Sequence, residues 1–268
     1  MSDIKSNVIP DIKLSVSKAK VFADCKRKYK YSYIDKLPKK EYEFHTFGKL
    51  CHKVLEDFHR HYIDGGTEPY HTQIGKCFNS ALAEYAPKVT PEMKKECYEI
   101  INKYLMMISS DKKMGAAANV IAVEKDFNLV IKDKVLLNGF IDRVQLDADG
   151  VIHVADYKTS KNDKYLKNDF FQLLTYAYVM CLEDANIQTV RTSYVMLRMD
   201  FKYVTKDFSR KEIMKVEDKF IEYADNILAE KMFRPTPTIL CKWCDFLDIC
   251  ESGKALVNPS AKYGETKW

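Results

Sequence analysis

The sequence predicts an α/β protein in which a central mixed β-sheet is flanked by helices and preceded by a largely helical part. Three observations predict it. Helix-period segments dominate the first 115 residues, strand-like segments follow from Asn119 to Tyr157, and helices and strands then alternate to about Lys231. With 268 residues, 46% of them hydrophobic, the chain is long enough to bury a substantial core.

Taken in order, Ser17 to Leu37 reads as a helix stopped by Pro38. Phe47 to Ile63 follows, closed by Gly65-Gly66. Thr90-Pro91-Glu92 supplies a cap and a first-turn proline for a helix running to about Ser109. Asn119–Ile131, Val135–Leu146 and Val151–Tyr157 are β-branched and apolar with turn signals between them, as strands require. Asp169 to Leu182 returns to helical spacing. Val190–Leu197 and Phe201–Val204 read as two further strands joined at Arg198-Met199-Asp200. Ser209 and Glu212 form a capping box for a helix to about Lys231, and the polar stretch after Cys250 reads as loosely held. No repeat or boundary is visible, so the chain reads as one domain. Its parts are a helical part over 14–115, a sheet and helix over 116–208, a helix and cysteine-rich loop over 209–250, and a tail over 251–268.

No run of eighteen apolar residues is present, which excludes a membrane-spanning helix. The start, MSDIKSNVIPDIK, has no secretory pattern, so the protein is expected inside the cell. The net charge of +5 leans mildly towards polyanions. Its distribution says more. Lys26, Arg27, Lys28, Tyr29 and Lys30 interleave cations with an aromatic, and Lys158, Lys161, Lys164 and Lys167 crowd a second stretch. Cations can hold phosphates while aromatic faces stack bases, a combination suited to single strands. Solvated lysines above packed tyrosines would give the same pattern.

The chemistry concentrates on one hairpin. Asp147-Ala148-Asp149-Gly150 suits a type I turn with glycine in the left-handed region. In that register Asp147 faces Val151, which sets Asp142 opposite Asp156, with Cβ atoms roughly 4.5–5.5 Å apart. Lys158 projects from the same face two residues on. Two carboxylates side by side on an otherwise apolar face repel one another, and a divalent cation between them removes the conflict. A lysine whose pKa is lowered by burial and by the metal could then take a proton from a water. A frayed, exposed sheet end is the inert alternative. Asp-x-Lys recurs at Asp11, Asp24, Asp111 and Asp200, so the tripeptide alone carries nothing.

Asn138-Gly139-Phe140-Ile141-Asp142-Arg143, then Ala155-Asp156-Tyr157-Lys158-Thr159, then Gln172-Leu173-Leu174-Thr175-Tyr176 together resemble the PD-(D/E)XK nuclease superfamily. The nearest branch is the RecB/AddB type, which includes CRISPR spacer-acquisition nucleases and phage exonucleases. The resemblance runs from Leu14 to Cys250. It implies a restriction-endonuclease-like core, Asp142 and Asp156 as metal-binding acids, and Lys158 as the catalytic lysine. It further implies His52, within Gly48-Lys49-Leu50-Cys51-His52, as a metal ligand, and the Tyr157 carbonyl as another. Gln172 and Tyr176, four apart on one helix face, would position the site and the DNA. An imidazole ligand suits Mn²⁺ at least as well as Mg²⁺. Glu124 precedes the strands where the branch often has an acid, and a surface charge is the alternative reading. Glu56 and His59 read as bystanders on the face of His52.

Eight cysteines without an export signal argue against a disulfide framework. Cys51, Cys77, Cys97 and Cys181 are scattered like buried thiols. Cys241, Cys244 and Cys250 are clustered, and with Cys25 they match the iron–sulfur clasp of the RecB/AddB branch. The resemblance therefore implies a structural [4Fe–4S] cluster, with zinc as the alternative occupant. The activity implied is metal-dependent hydrolysis of DNA, most simply an exonuclease on single strands or ends, in the cytoplasm or at the nucleoid. A non-catalytic DNA-binding subunit of a helicase or recombination complex, or an RNA nuclease, are the rivals. No GxxxxGK[ST] loop is present, so a helicase motor would be a separate partner.

Overall fold

The computed structural model of the protein describes residues 9–40, 42–110, 119–164, 166 and 168–257. Lys167, Asp111 and the tail from 258 onward, all named above, lie outside the described residues, as do the last positions of the expected helical part. The elements in chain order are β1 (Ile12–Leu14), α1 (Val16–Asp24), α2 (Lys26–Tyr29), α3 (Glu43–Ile63), α4 (Tyr70–Tyr85) and α5 (Pro91–Ser110). There follow β2 (Val120–Ile131), β3 (Val135–Leu146), β4 (Ile152–Lys158), α6 (Phe171–Glu183), β5 (Thr189–Met196) and β6 (Lys202–Ser209). The last are α7 (Arg210–Ile213), α8 (Val216–Ala229) and α9 (Glu251–Val257). The expected α/β class with a mixed sheet is borne out. Among the described residues no helix is long and apolar enough to cross a membrane.

Several expected boundaries move. The helix expected from Ser17 to Leu37 breaks at Cys25, whose backbone is extended (φ −158°, ψ 108°), and ends in a π-helical turn over Lys30–Ile34. Extended backbone cannot continue a helix, so the break redirects the chain at a cysteine. The helix capped by Ser209 is divided between α7 and α8. The strand expected to stop at Val204 continues to Ser209, and α9 occupies the start of the polar tail. Helix α4 is an addition to the expected elements, although its buried Ile74, Cys77, Phe78 and Ala81 keep helical spacing.

The chain forms two compact units. The larger holds Tyr42–Asn128 and Asn138–Glu217; the other holds Leu129–Leu137 with the described residues 9–40 and 218–257. In the larger unit β3 runs antiparallel to β4, in the register Leu146↔Ile152 to Arg143↔Ala155. The turn between them forms as expected: Gly150 takes φ +78°, and the Asp147 N–H donates to the Val151 carbonyl at 3.0 Å. β4 is parallel to β5, from Ile152↔Val190 to Lys158↔Met196, and β5 is antiparallel to β6. One face of this sheet, through Ala155, Tyr157 and Val195, packs on the apolar stripes of α3, α4 and α5. Each fully buried Leu or Phe there stabilises by about 1.5–3 kcal/mol. α6 packs against β4 and β5.

In the smaller unit β1 pairs in parallel with the start of β3, Ile12↔Val135 to Leu14↔Leu137. Tyr29 is buried there, with its ring 5.3 Å from Phe22, 5.1 Å from Tyr33 and 6.5 Å from Phe233.

Candidate active site and cysteine cavity

The larger unit gathers most of the residues singled out on the hairpin. Where Asp142 and Asp156 would pair, the β3–β4 ladder has already ended. The Tyr157 N–H is met instead by the Asp142 carboxylate, which accepts from it at 2.8 Å. α3 brings His52 alongside: its Nε2 lies 3.1 Å from the Tyr157 carbonyl and its Nδ1 lies 3.4 Å from Asp142 Oδ2. Burial pushes the His52 pKa below the usual histidine value, opposed by the Asp156 charge, so the ring is neutral. A neutral ring that donates from Nε2 to a carbonyl has its lone pair on Nδ1, facing a carboxylate oxygen. An imidazole lone pair beside a carboxylate oxygen is a pair of electron donors that a cation can bind together.

Glu124 completes the group. Ligand atoms of His52, Glu124 and Asp142 all lie within 4.8 Å of one another. Glu124 takes φ 43°, a left-handed conformation that costs a non-glycine residue roughly 1–3 kcal/mol. Burial, then the nearby Glu56 carboxylate, raises its pKa. Asp142 is raised well above the carboxylate range, first by burial and then by Asp156. These are the properties of acids arranged for a cation, and a donor set of one imidazole and several carboxylate oxygens fits Mg²⁺ or Mn²⁺. A cavity of about 340 Å³, lined by Gly48, Lys49, His52, Lys53, Glu56, Tyr85 and Glu124, opens beside the group.

Asp156 is buried, and Lys158 Nζ lies 2.5 Å from its Oδ2. Gln172 Oε1 accepts from Lys158 at 3.1 Å, while Gln172 Nε2 donates to the Tyr176 hydroxyl at 2.8 Å. α6 therefore fixes the amide, and the amide aims the ammonium. Lys158 also lies 5.3 Å over the Tyr194 ring, a cation–π contact from the neighbouring strand. In the metal-free protein burial alone would lower the Lys158 pKa, but the Asp156 carboxylate outweighs burial and holds it above the ordinary lysine value.

The sequence leaves Glu124 open as a surface charge. Its sequence signal is weak, because Glu124 stands in the charged run Glu124-Lys125-Asp126 and no period-two pattern announces a left-handed residue. His59 is fully buried with Nε2 2.5 Å from the Tyr104 hydroxyl, and Glu56 is paired with Arg60 at 2.9 Å.

The smaller unit gathers the cysteines. Cys25, Cys241, Cys244 and Cys250 line one cavity together with Arg27, Lys28, Tyr31 and Phe246. Gly253 closes it, since a Cβ there would stand 3.3 Å from Leu247 and 3.6 Å from Cys250 Sγ. The Thr238 N–H donates to Cys241 Sγ at 3.4 Å. The basic–aromatic stretch beside it is engaged in the unit's own packing. Lys26 pairs with Glu230 at 2.5 Å, Arg27 Nε donates to the Phe233 carbonyl at 2.9 Å, and Lys30 pairs with Asp35 at 2.7 Å.

Comparison with known proteins agrees with this geometry. An alignment of 168 positions, covering 56% of this chain, is 27% identical to an ATP-dependent helicase/deoxyribonuclease subunit from Streptococcus pyogenes serotype M6, and equally to its counterpart from serotype M18. The match spans only 14% of those relatives. A crystal structure from Eubacterium rectale, assigned provisionally as an exonuclease, superposes with a TM-score of 0.52 at 14% identity, over 90% of this chain and 87% of that one. At that identity the likeness concerns the fold. The match to the PD-(D/E)XK nuclease superfamily, whose nucleases use divalent metals, extends over residues 13–251, and the chain belongs to that superfamily.

Proposed function

We propose that this protein hydrolyses DNA phosphodiesters with Mg²⁺ or Mn²⁺, acting as an exonuclease on single strands or DNA ends. The carrying observation is the convergence of His52, Glu124 and Asp142 within 4.8 Å, beside the Asp156–Lys158 pair. A divalent ion bound there would polarise the phosphate and acidify a water. Asp142, Asp156 and Glu124 supply the negative charge that holds it, and His52 adds a neutral lone pair. The Tyr157 carbonyl, expected as a ligand, orients the imidazole through its hydrogen bond. Lys158, held cationic and aimed by Gln172 and Tyr176, sets positive charge where the phosphate accumulates negative charge. It acts as a charge and proton donor rather than as a base.

The cysteine cavity supports a [4Fe–4S] cluster. Its four thiols line one cavity, and Arg27 and Lys28 on the cavity wall offset the charge of thiolate ligands. A zinc ion held by the same thiolates is the alternative occupant. The cluster's role in this reading is a staple between distant parts of the chain. The S. pyogenes relatives are named as parts of a helicase/deoxyribonuclease, which favours a separate helicase partner.

The test is protein purified without oxygen, its visible spectrum recorded, offered end-labelled single- and double-stranded DNA and RNA with Mn²⁺ or Mg²⁺. Stepwise shortening of DNA that stops on chelation is expected. Cleavage of RNA alone would replace the substrate, and binding without cleavage would replace the enzyme with a non-catalytic binding protein.

A further inference from the structure

Arg143 is among the largest fully buried side chains of the protein, 2% exposed, yet its polar partners are neutral. Its Nη1 donates to the Tyr157 hydroxyl and its Nη2 to the Tyr203 hydroxyl, each at 3.2 Å. Among the described residues its Nε finds no acceptor. A buried guanidinium without a carboxylate is a costly way to fill a core, and an apolar side chain of similar volume would fill it more cheaply. What arginine adds is direction: a planar group with rigid N–H vectors that can hold two hydroxyls at once.

Those hydroxyls lie on the strand that carries the chemistry and on the outer strand beyond it. Tyr157 stands between Asp156 and Lys158, and its main chain touches both other parts of the site. Its N–H is held by Asp142 and its carbonyl by His52. On the β5 side the backbone ladder continues past it to Lys158↔Met196. On the β3 side the last pair is Arg143↔Ala155, so no regular pairing fixes Tyr157 against β3. Beyond that last pair, the Asp142 carboxylate ties β3 to β4 from one side of the sheet and the Arg143 guanidinium ties them from the other. The strands part here to make room for the site, and a part left unbraced on one side would let Tyr157 roll about the strand axis. Such a roll moves Asp156, Lys158 and the His52 contact together.

We propose that Arg143 is a positioning residue for phosphodiester cleavage, bracing Tyr157 and Tyr203 so that the parted β3–β4 strands hold the metal-binding acids and Lys158 in register. This rests on the nuclease reading of the site.

The test compares Arg143→Met, Arg143→Lys, Tyr157→Phe and the Arg143→Met/Tyr157→Phe double variant in the full chain. Cleavage constants for end-labelled DNA, thermal midpoint and Mn²⁺ affinity by electron paramagnetic resonance are measured. Misplacement of reacting groups by fractions of an ångström predicts a kcat loss of about 30–100-fold in Arg143→Met, with KM for DNA within about threefold. Arg143→Lys keeps charge but not the two directed bonds and is expected to be as poor. Tyr157→Phe is expected to lose about tenfold, and the double variant no more than Arg143→Met alone, because the two residues act through one link. Mn²⁺ is expected to bind about tenfold more weakly in Arg143→Met. Full rescue by lysine, multiplying losses in the double variant, or a kcat within threefold of wild type would each overturn the proposal. If Arg143→Met fails to fold, Tyr157→Phe decides: a tenfold loss in kcat at unchanged KM and midpoint supports the brace, and a kcat within twofold refutes it. A wild-type protein that cuts no nucleic acid would remove the nuclease reading, while the Mn²⁺ affinities would still report on the brace.

Discussion

Replacing Lys158 by methionine is expected to weaken the metal-free protein, tighten its hold on metal and abolish cleavage, three effects that would rarely coincide for another reason. The ammonium lies 2.5 Å from an Asp156 carboxylate whose residue is 2% exposed. Removing one partner of so buried a pair leaves an uncompensated charge and costs about 3–5 kcal/mol. At roughly 2–4 °C per kcal/mol for a chain of this size, the metal-free midpoint should fall by about 6–20 °C at pH 8. Mn²⁺ supplies the missing positive charge and no longer competes with the lysine. Its dissociation constant should therefore fall, and at a hundred times that constant it returns about 2.7 kcal/mol. The rise in midpoint on adding Mn²⁺ is thus larger in the variant than in the wild type. Loss of a directed cation at the phosphate should still lower kcat by about 10²–10³-fold. Calorimetry with and without Mn²⁺, beside a cleavage assay on labelled DNA, reads all three. An unchanged metal-free midpoint, or a variant retaining more than a tenth of wild-type kcat, would refute the account of the pair.

Glu124→Gln should weaken Mn²⁺ binding about tenfold or more. Because burial and neighbouring acids raise the Glu124 pKa in the fold, the wild type loses stability as pH climbs above the unfolded carboxylate value of about 4.3. The variant's metal-free midpoint should therefore exceed the wild type's at pH 8 and match it near pH 4. Asp147 is the opposite case. Burial would raise it, but hydrogen bonds from His153, Gln145 and Arg191 hold its pKa far below the carboxylate range. Its contribution is complete above about pH 4 and fades as pH falls further, so Asp147→Asn should cost about 1–2 kcal/mol at pH 7, a deficit that shrinks below pH 4 in thermal melts. Cys25→Ala should remove bound iron and visible absorption. If the cluster constrains the unfolded chain as a disulfide would between Cys25 and Cys241, 216 positions apart, the cost is about 5 kcal/mol, measurable as a lower denaturation midpoint.

Much of the fold was legible because the strands around the site are long and strongly patterned. β3 begins and ends where the sequence says, and the Asp147–Gly150 turn sets a register that holds to Arg143↔Ala155. What escaped was short or broken. β1 has only three residues, too few for a period to register, and the interruption at Cys25 lies in a stretch whose side chains all tolerate a helix. That interruption sets Cys25 beside a cavity whose other thiols come from the far end of the chain. Local propensity carries no record of so distant a neighbour.

The site divides along the same line. Asp142, Asp156 and Lys158 could be read from one hairpin because alternation within a pair of strands is a local rule. Glu124 could not, since its participation depends on a left-handed backbone at one position of β2. Nor could the charge state of Lys158, which turns on whether burial or the Asp156 carboxylate prevails. Spacing tells which side chains share a face, but not how deeply each is enclosed. The same limit hid Arg143. Beside Asp142 it looks like an exposed strand residue, and only the tyrosine hydroxyls from β4 and β6 reveal a cation in the core. Where a buried charge survives without an opposite charge, stability does not explain it, so the physical reason has to be sought in what the charge holds in place.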